Sequence, residues 1–236
     1  KQKRKINNIE KQDNKRILEQ LQKDLRLINR PRHIECFDNS NIQGTNPVAA
    51  CVVFKNARPS KKEYRHFNIK TVVGPDDFAS MEEVVYRRYK RLLDEQQTLP
   101  ELIVVDGGKG QLSSAVKSLD KLKLRGKVAI IGIAKRLEEI YFPGDSVPLY
   151  LDKRSESLKL IQQLRDEAHR FGIMHHRKQR GKDILGTSLD KIDGIGPKTV
   201  ELLISHFGSV KKVMEAKKEE LEKLIGKAKS KKIYEK

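Results

Sequence analysis

Tryptophan is absent from the 236 residues, only two cysteines and three methionines occur, and no apolar run approaches the ~18–20 residues a membrane span needs. Each shortage excludes something. Cys36 and Cys51 cannot build a disulfide framework or a four-ligand zinc site, which points to a reducing compartment. Lys1–Glu10 is charged and polar with no apolar stretch behind it, so no secretory signal is read there. The G-x-x-x-x-G-K-[ST] phosphate loop is missing too: Gly108-Lys109 is present, but position 103 is Ile, so nucleoside-triphosphate hydrolysis is not supported. The chain is expected to be soluble and cytoplasmic, without a membrane partner or a small-molecule cofactor.

Positive charge, by contrast, is plentiful. Fifty Lys and Arg against 32 Asp and Glu leave a formal net charge of +18. Residues 1–30 carry 10 basic and 4 acidic side chains, residues 31–171 carry 24 and 19, and residues 172–236 carry 16 and 9. The long middle portion is nearly balanced, while both flanks are strongly basic. Basic faces attract polyanions and bind them with a steep salt dependence through counterion release, so nucleic acid is the expected partner. A lysine-rich surface kept for solubility is the bland alternative. A membrane surface fits less well, since no amphipathic helix pairs a basic face with Trp or Phe anchors.

The hydrophobic share, 37%, is lean but sufficient for one ordinary core and a small second domain. Residues 9–29 read as a helix, with Ile17, Leu18, Leu21, Leu25 and Leu27 partly at three- and four-residue spacing. Pro31 stops it. Three β-like runs follow, His33–Phe37, Val48–Lys55 and Tyr64–Lys70, with turn signals at Asn39–Asn46 and Arg58–Ser60. Pro75-Asp76-Asp77 opens a helix over Asp76–Glu95. Leu102–Val105 is a short buried strand, Lys109–Leu122 a helix and Val128–Ile133 another strand. Glu139–Phe142 and Val147–Leu151 are expected to pair across Pro143-Gly144, and Ser155–Arg180 is a closing helix. This β-β-β-α-β-α-β order, then a helix, is that of an α/β ribonuclease-H-like mixed sheet with flanking helices, its three-strand start separating it from a doubly wound fold. The expected domains are a basic helical segment (1–30), the sheet domain (31–180), a linker (181–186) and a small all-α domain (187–236).

Within that order three residues stand out. Asp38 ends the first strand and Asp106 the fourth, and these two strands are neighbours in such a sheet. Facing carboxylates, partly desolvated at a sheet edge, are best relieved by a hard divalent cation, Mg²⁺ or Mn²⁺. His169, on the closing helix, can add a ligand or move a proton. Taken singly, either Asp is more simply a turn former and His169 a packed helix residue; their pairing in this topology favours the metal site. Asp76 and Asp77 read as helix caps, with a supporting catalytic role as the sharper option. Lys109, at a helix N-terminus, meets a phosphate or merely follows a tight turn. His33, His66 and His206 stand alone and are taken as structural, and His175-His176 lies too close to basic residues to look like a metal site.

The last fifty residues hold a further motif. Leu189–Val200 matches a helix–hairpin–helix: Gly194 and Gly196 allow a tight hairpin, and Pro197 suits the first position of the next helix. The amides around Gly194, Ile195 and Gly196, with Lys198, would then meet a DNA backbone phosphate, which positions a protein without reading bases. Leu224–Lys229 looks like a degenerate second hairpin with one glycine, so contact through Lys227 is the weaker expectation. No base-reading element or aromatic stacking platform is legible.

Phe37-Asp38-Asn39-Ser40, Gly74–Met81, Val105–Leu112, Arg165–Phe171 and Ile192–Lys198 together resemble the C-terminal half of the UvrC family of bacterial excinuclease proteins. The resemblance runs from about residue 31 onward, in the family's order. It implies a ribonuclease-H-like endonuclease domain followed by tandem helix–hairpin–helix motifs, with the Asp-Asp-His triad on Asp38, Asp106 and His169. It also implies 5′ incision beside a lesion in bacterial nucleotide excision repair, on double-stranded damaged or bubble DNA held with UvrB. Neither a GIY-YIG nuclease domain nor a clear module for UvrB is recognisable, so the chain is expected to be part of a longer protein. A non-catalytic DNA-binding module and another nuclease of the same fold, a junction resolvase or a hybrid RNase, remain the alternatives.

Overall fold

The computed structural model describes residues 2–40, 48–72, 76–134, 138–185, 189 and 192–234; at 2–8, 40 and 175–185 only the backbone is described. Two compact units divide the chain, Lys1–Met174 and His175–Lys236.

The first unit is a mixed sheet between two helical layers. Its strands are β1 (His33–Ser40), β2 (Val48–Lys55), β3 (Arg58–Pro59), β4 (Arg65–Asn68), β5 (Leu102–Asp106), β6 (Ala129–Ala134) and β7 (Glu139–Tyr141). They lie in the order β3-β2-β1-β5-β6-β7, with β4 also pairing β2. β1 runs antiparallel to β2 and parallel to β5, β5 parallel to β6, and β6 antiparallel to β7. All five β5 residues are buried, as expected of a central strand covered on both faces. On one face Ile34, Cys36, Leu102, Val104, Ile131 and Ile133 pack beneath α1 (Gln2–Asp24) and α4 (Glu156–Leu185). On the other, Phe37, Ile103 and Val105 pack beneath α2 (Asp77–Asp94) and α3 (Lys109–Lys121).

Several sequence expectations need correction. β1 does not stop at Phe37: Asn39 and Ser40 pair with Ala49 and Val48, because β2 is long enough to keep them in register. Asp38 therefore lies inside the strand, and the rest of the expected turn, 41–46, lies outside the described residues. The turn expected at Arg58–Ser60 sits instead at Asn56-Ala57, both with positive φ, as a two-residue hairpin demands. Pro59 pairs back onto Phe54 from a sheet edge, where its missing N–H costs no ladder bond. Pro148 limits the expected second hairpin to a single bridge, Ile140 to Leu149.

The segment 1–30 is not set apart either: Leu18, Leu21 and Leu25 are buried in the same cluster as β1 and β5, since a leucine stripe needs apolar cover. Nor is 181–186 a linker as far as Leu185, because α4 runs through it; a glycine inside a helix, as Gly181 is, costs a long helix only about 1 kcal/mol.

Among its described residues the second unit holds, after the end of α4, the short helices α5 (Pro197–Phe207), α6 (Val210–Glu215), α7 (Lys218–Ile225) and α8 (Lys227–Tyr234), around Leu189, Ile195, Val200, Leu203, Val213 and Leu221. Gly208 ends α5 in the left-handed region, and Ser209 caps α6 by accepting from the Lys212 amide.

One charged residue sits wholly inside the sheet. Glu35, on the α2-covered face of β1, accepts from Arg88 Nη2 at 2.5 Å, Arg88 Nε at 3.2 Å and the Tyr89 hydroxyl at 3.0 Å, with His33 Nε2 at 3.2 Å. Burial alone would push its carboxyl up, but the His33 ring and the Arg88 guanidinium outweigh burial and pull it down to about 2. A carboxyl lowered on folding adds stability above its unfolded value, lost as pH falls through the folded one. The unfolding midpoint should therefore drop between about pH 4.5 and pH 2, and thermal melts of Glu35→Gln should lack that part of the drop. Arg88→Met, which strands the carboxylate, should cost about 3–5 kcal/mol in urea unfolding, and adding Glu35→Leu should recover much of it.

Candidate active site

Alternation along two parallel strands builds the site. On β1, Ile34, Cys36 and Asp38 point to the α4-covered face; on β5, Leu102, Val104 and Asp106 do the same. The β1–β5 pairing is in register through Phe37 and Val105, so the next residue on each strand is a buried aspartate. The fully buried Cys36 thiol, one pleat below Asp38, is pushed well above its usual range by burial and then by Asp106 and Asp38. It stays a thiol and adds no third negative charge.

α4 brings the third group. Leu160, Ile161, Leu164 and Ala168 seat it on the sheet, and His169 follows directly on the rim. Its Nδ1 lies 3.1 Å from Asp38 Oδ2, while about half of its side chain faces solvent. One ligand atom from each of Asp38, Asp106 and His169 lies within 4.8 Å of the others. Two carboxylates and one imidazole, two of them desolvated and one open to solvent, form a donor set that fits a hard divalent cation.

The supporting candidates are placed differently. Asp76 caps α2, its side chain accepting from the Phe78 and Ala79 amides, and Asp77 offers its carbonyl to Asn39 Nδ2 at 2.8 Å. Both are outside the converging group. Lys109 Nζ donates to the Ser146 carbonyl at 2.5 Å and lies 5.1 Å from the centre of the Tyr141 ring, which turns it toward the β7 side of the sheet. Sequence reasoning missed two neighbours, Asn39 and Phe78. Asn39 ties β1 to α2, a role hidden because the residue was read as part of a turn. Phe78 is exposed although apolar, and only the three-dimensional neighbourhood reveals that.

In the second unit Gly194 has φ +83° and Gly196 caps α5, with Pro197 at its first position. Gly194, Gly196, Lys198 and Lys227 are exposed. Ile195 is the exception. Its side chain is in the core, and its amide already donates to the Ile192 carbonyl at 3.0 Å, so it supports the hairpin rather than offering a donor. Asp190 and Lys191 of the motif lie outside the described residues, as do the His175 and His176 side chains.

Residues 22–173 match the family model described as the UvrC RNAse H endonuclease domain, and residues 187–236 match the SAM-like helix-hairpin-helix tandem. The chain is 71% identical over 218 residues to the UvrABC system protein C of Flavobacterium psychrophilum, covering 92% of this chain and 36% of that protein. Similar proteins of the same name occur in Flavobacterium johnsoniae (70% over 220 residues; 93% of this chain, 37% of the relative) and Porphyromonas gingivalis (63% over 219; 93% and 37%). The chain thus spans just over a third of these relatives. Among solved structures, the catalytic domain of human Endonuclease V covers 64% of this chain and 85% of its own at 14% identity and a TM-score of 0.36, too slight a likeness to bear on function. With the nuclease-domain model spanning well over half of the residues, and the hairpin tandem following it, the chain belongs to the UvrC family.

Proposed function

We propose that the chain is a divalent-metal-dependent DNA endonuclease that makes the 5′ incision beside a lesion in nucleotide excision repair, acting with UvrB on damaged or bubble duplex. The observation that carries this reading is the convergence of Asp38, Asp106 and His169 at one end of the β1–β5 pair. Relatives named UvrABC system protein C, among them ones 71%, 70% and 63% identical, support the repair context.

Asp38, Asp106 and His169 would hold the cation. Once bound, Mg²⁺ or Mn²⁺ supplies Lewis-acid polarisation of the scissile phosphate and a lowered pKa for the attacking water. Asp38 and Asp106 would fix where the cation sits, and with it where a phosphodiester can lie, because the carboxylates by themselves repel a phosphate. His169, hydrogen-bonded to Asp38 and open on its other side, keeps its ring oriented and can ligate or move a proton. The tail is the backbone clamp: the amides of Gly194, Gly196 and Lys198 are the candidate donors, with the Lys198 side chain beside them, since Pro197 has no N–H and the Thr199 and Val200 amides already donate to the Gly196 carbonyl. Lys227 opens α8 and is the candidate contact of the second hairpin.

Nicking of a bubble duplex with Mn²⁺, Mg²⁺ or EDTA tests the first part. Asp38→Ala and Asp106→Ala should each lower metal-dependent nicking by roughly 10³-fold or more, with DNA affinity in EDTA little changed. Binding without any metal-dependent nicking, even with UvrB and damaged DNA added, would leave a non-catalytic binding module; preference for a four-way junction or an RNA–DNA hybrid would assign a different nuclease.

The clamp is tested by salt titration of binding. Lys198→Ala should weaken binding to every sequence about equally and lower the slope of log K against log salt by about 1. An unchanged slope would remove Lys198 from the phosphate contacts.

A further inference from the structure

Of seven phenylalanines, Phe78 alone stands exposed, at 55%. Single apolar side chains scattered over a surface are ordinary. This one, however, is held from three sides. The Asp76 carboxylate accepts from the Phe78 and Ala79 amides at 3.0 and 2.9 Å, fixing the first turn of α2. Asn39 Nδ2 donates to the Asp77 carbonyl, tying the same turn to β1 one residue past Asp38. The third hold is Gly110, in the first turn of α3 and four residues beyond Asp106. A Cβ at Gly110 would stand 2.5 Å from Phe78 Cε1, 2.9 Å from Cζ and 3.4 Å from Cδ1, so the ring edge rests where a side chain would otherwise be. An aromatic ring thus bridges the starts of the two helices that adjoin Asp38 and Asp106, with over half of its surface open to solvent.

Resting on the nuclease reading above, we propose that Phe78 is a stacking platform for an unpaired nucleobase next to the scissile phosphate. The ring's two anchors adjoin the site along the chain, since Asn39 follows Asp38 on β1 and Gly110 lies four residues beyond Asp106; the base this platform would take is one flanking a phosphate held at that end of the β1–β5 pair. Every base has a π face, so stacking here favours unpaired over paired substrate without reading sequence. A ring already seated against Gly110 loses little freedom when a base covers it, which keeps the gain from being spent on ordering. Gly110 then has a function as well as a packing reason: a larger residue would lift the ring away from α3.

The chain contains no tryptophan, so Phe78→Trp introduces a single indole whose emission reports stacking directly. The full chain carrying Phe78→Trp is titrated in EDTA with a bubble duplex, and with the same duplex made abasic in its unpaired strand. Saturable quenching by the first and none by the second is the expected result. In the natural chain, Phe78→Leu keeps an apolar contact with Gly110 but has no π face; it should bind the base-containing bubble about 5- to 150-fold more weakly, with Phe78→Tyr close to the natural affinity. Equal quenching by both duplexes, no quenching, or natural affinity in Phe78→Leu would each overturn the proposal; if Phe78→Leu fails to fold, the Phe78→Trp and Phe78→Tyr arms still decide it. Binding is read without metal, so the outcome is separable from the nicking assay: natural-chain nicking without quenching removes the platform alone, and quenching without nicking, even with UvrB and damaged DNA added, removes the nuclease reading and with it the scissile phosphate, leaving the ring as the stacking surface of a binding module.

Discussion

Nearly everything about the candidate site depends on one piece of register, the parallel pairing of β1 with β5 that sets Phe37 against Val105. A slip by one residue would send every side chain of a strand to its opposite face. Asp38 would then point into the α2–α3 layer, Phe37 toward α4, and the two aspartates would no longer share a face with His169. The register is held because both faces are buried: Ile34 and Cys36 belong to one core cluster, Phe37 to the other, and Leu102 to Val105 alternate between them. The chemistry is therefore placed by hydrophobic burial, not by bonds among the site residues themselves. Glu35 adds to the specification, since its only compensated position is under Arg88 and Tyr89; in the slipped register that carboxylate would be buried without them.

A second constraint is how closely the turn after β5 must approach its neighbours. Gly132, on β6, would carry a Cβ 2.8 Å from the Gly107 carbonyl oxygen and 3.2 Å from Leu112 Cβ. Backbone cannot yield at the first distance, so glycine is required if Asp106 is to be followed at once by a turn into α3. Gly110 then admits Phe78 from α2. Two close approaches thus fix α3 against the sheet and α2 against α3, and they do so beside the residue pair that carries the proposed chemistry.

How much of this the sequence makes legible follows from how local each determinant is. Asp38 and Asp106 are legible because a carboxylate closing a run such as Leu-Ile-Val-Val conflicts with its surroundings and asks for a reason. The sheet order is legible because the strands of the central pair are separated by complete elements. His169 is harder: it belongs to an ordinary amphipathic helix 131 residues from Asp38, where taken singly it reads as a packed helix residue, and only its company with the two aspartates in this topology and the family motif mark it. The Glu35–Arg88 pair is illegible, since a glutamate within alternating apolar residues reads as an outward-facing position. The Asn56-Ala57 turn is missed for a related reason. Pro59 is a strong local signal, but an edge strand accepts proline, and the positive φ of Ala57 has no signature in its side chain. Phe78 shows the same limit, because whether an aromatic residue is core or platform is decided by what packs around it.

Charge imposes the last constraint. The residues around the site must receive a polyanion, yet the site's own contribution is two buried carboxylates. Two such charges repel a phosphate at short range, the more so in a partly desolvated setting. The net attraction of the chain is accordingly placed elsewhere: residues 31–171 are close to balanced, 24 basic to 19 acidic, while the flanks hold 10 to 4 and 16 to 9. Within the first unit much of the basic charge is also taken up locally, as in Arg30 with Glu19, Lys55 with Glu63 and Arg87 with Glu83. The consequence for the proposed nuclease is a division of labour that follows from electrostatics alone. Affinity, and with it salt dependence, comes from residues outside the site; contacts at the site that are independent of charge, such as an aromatic face, can select the form of the strand without adding to that affinity's salt slope; and the carboxylates become favourable to phosphate only once a cation offsets them.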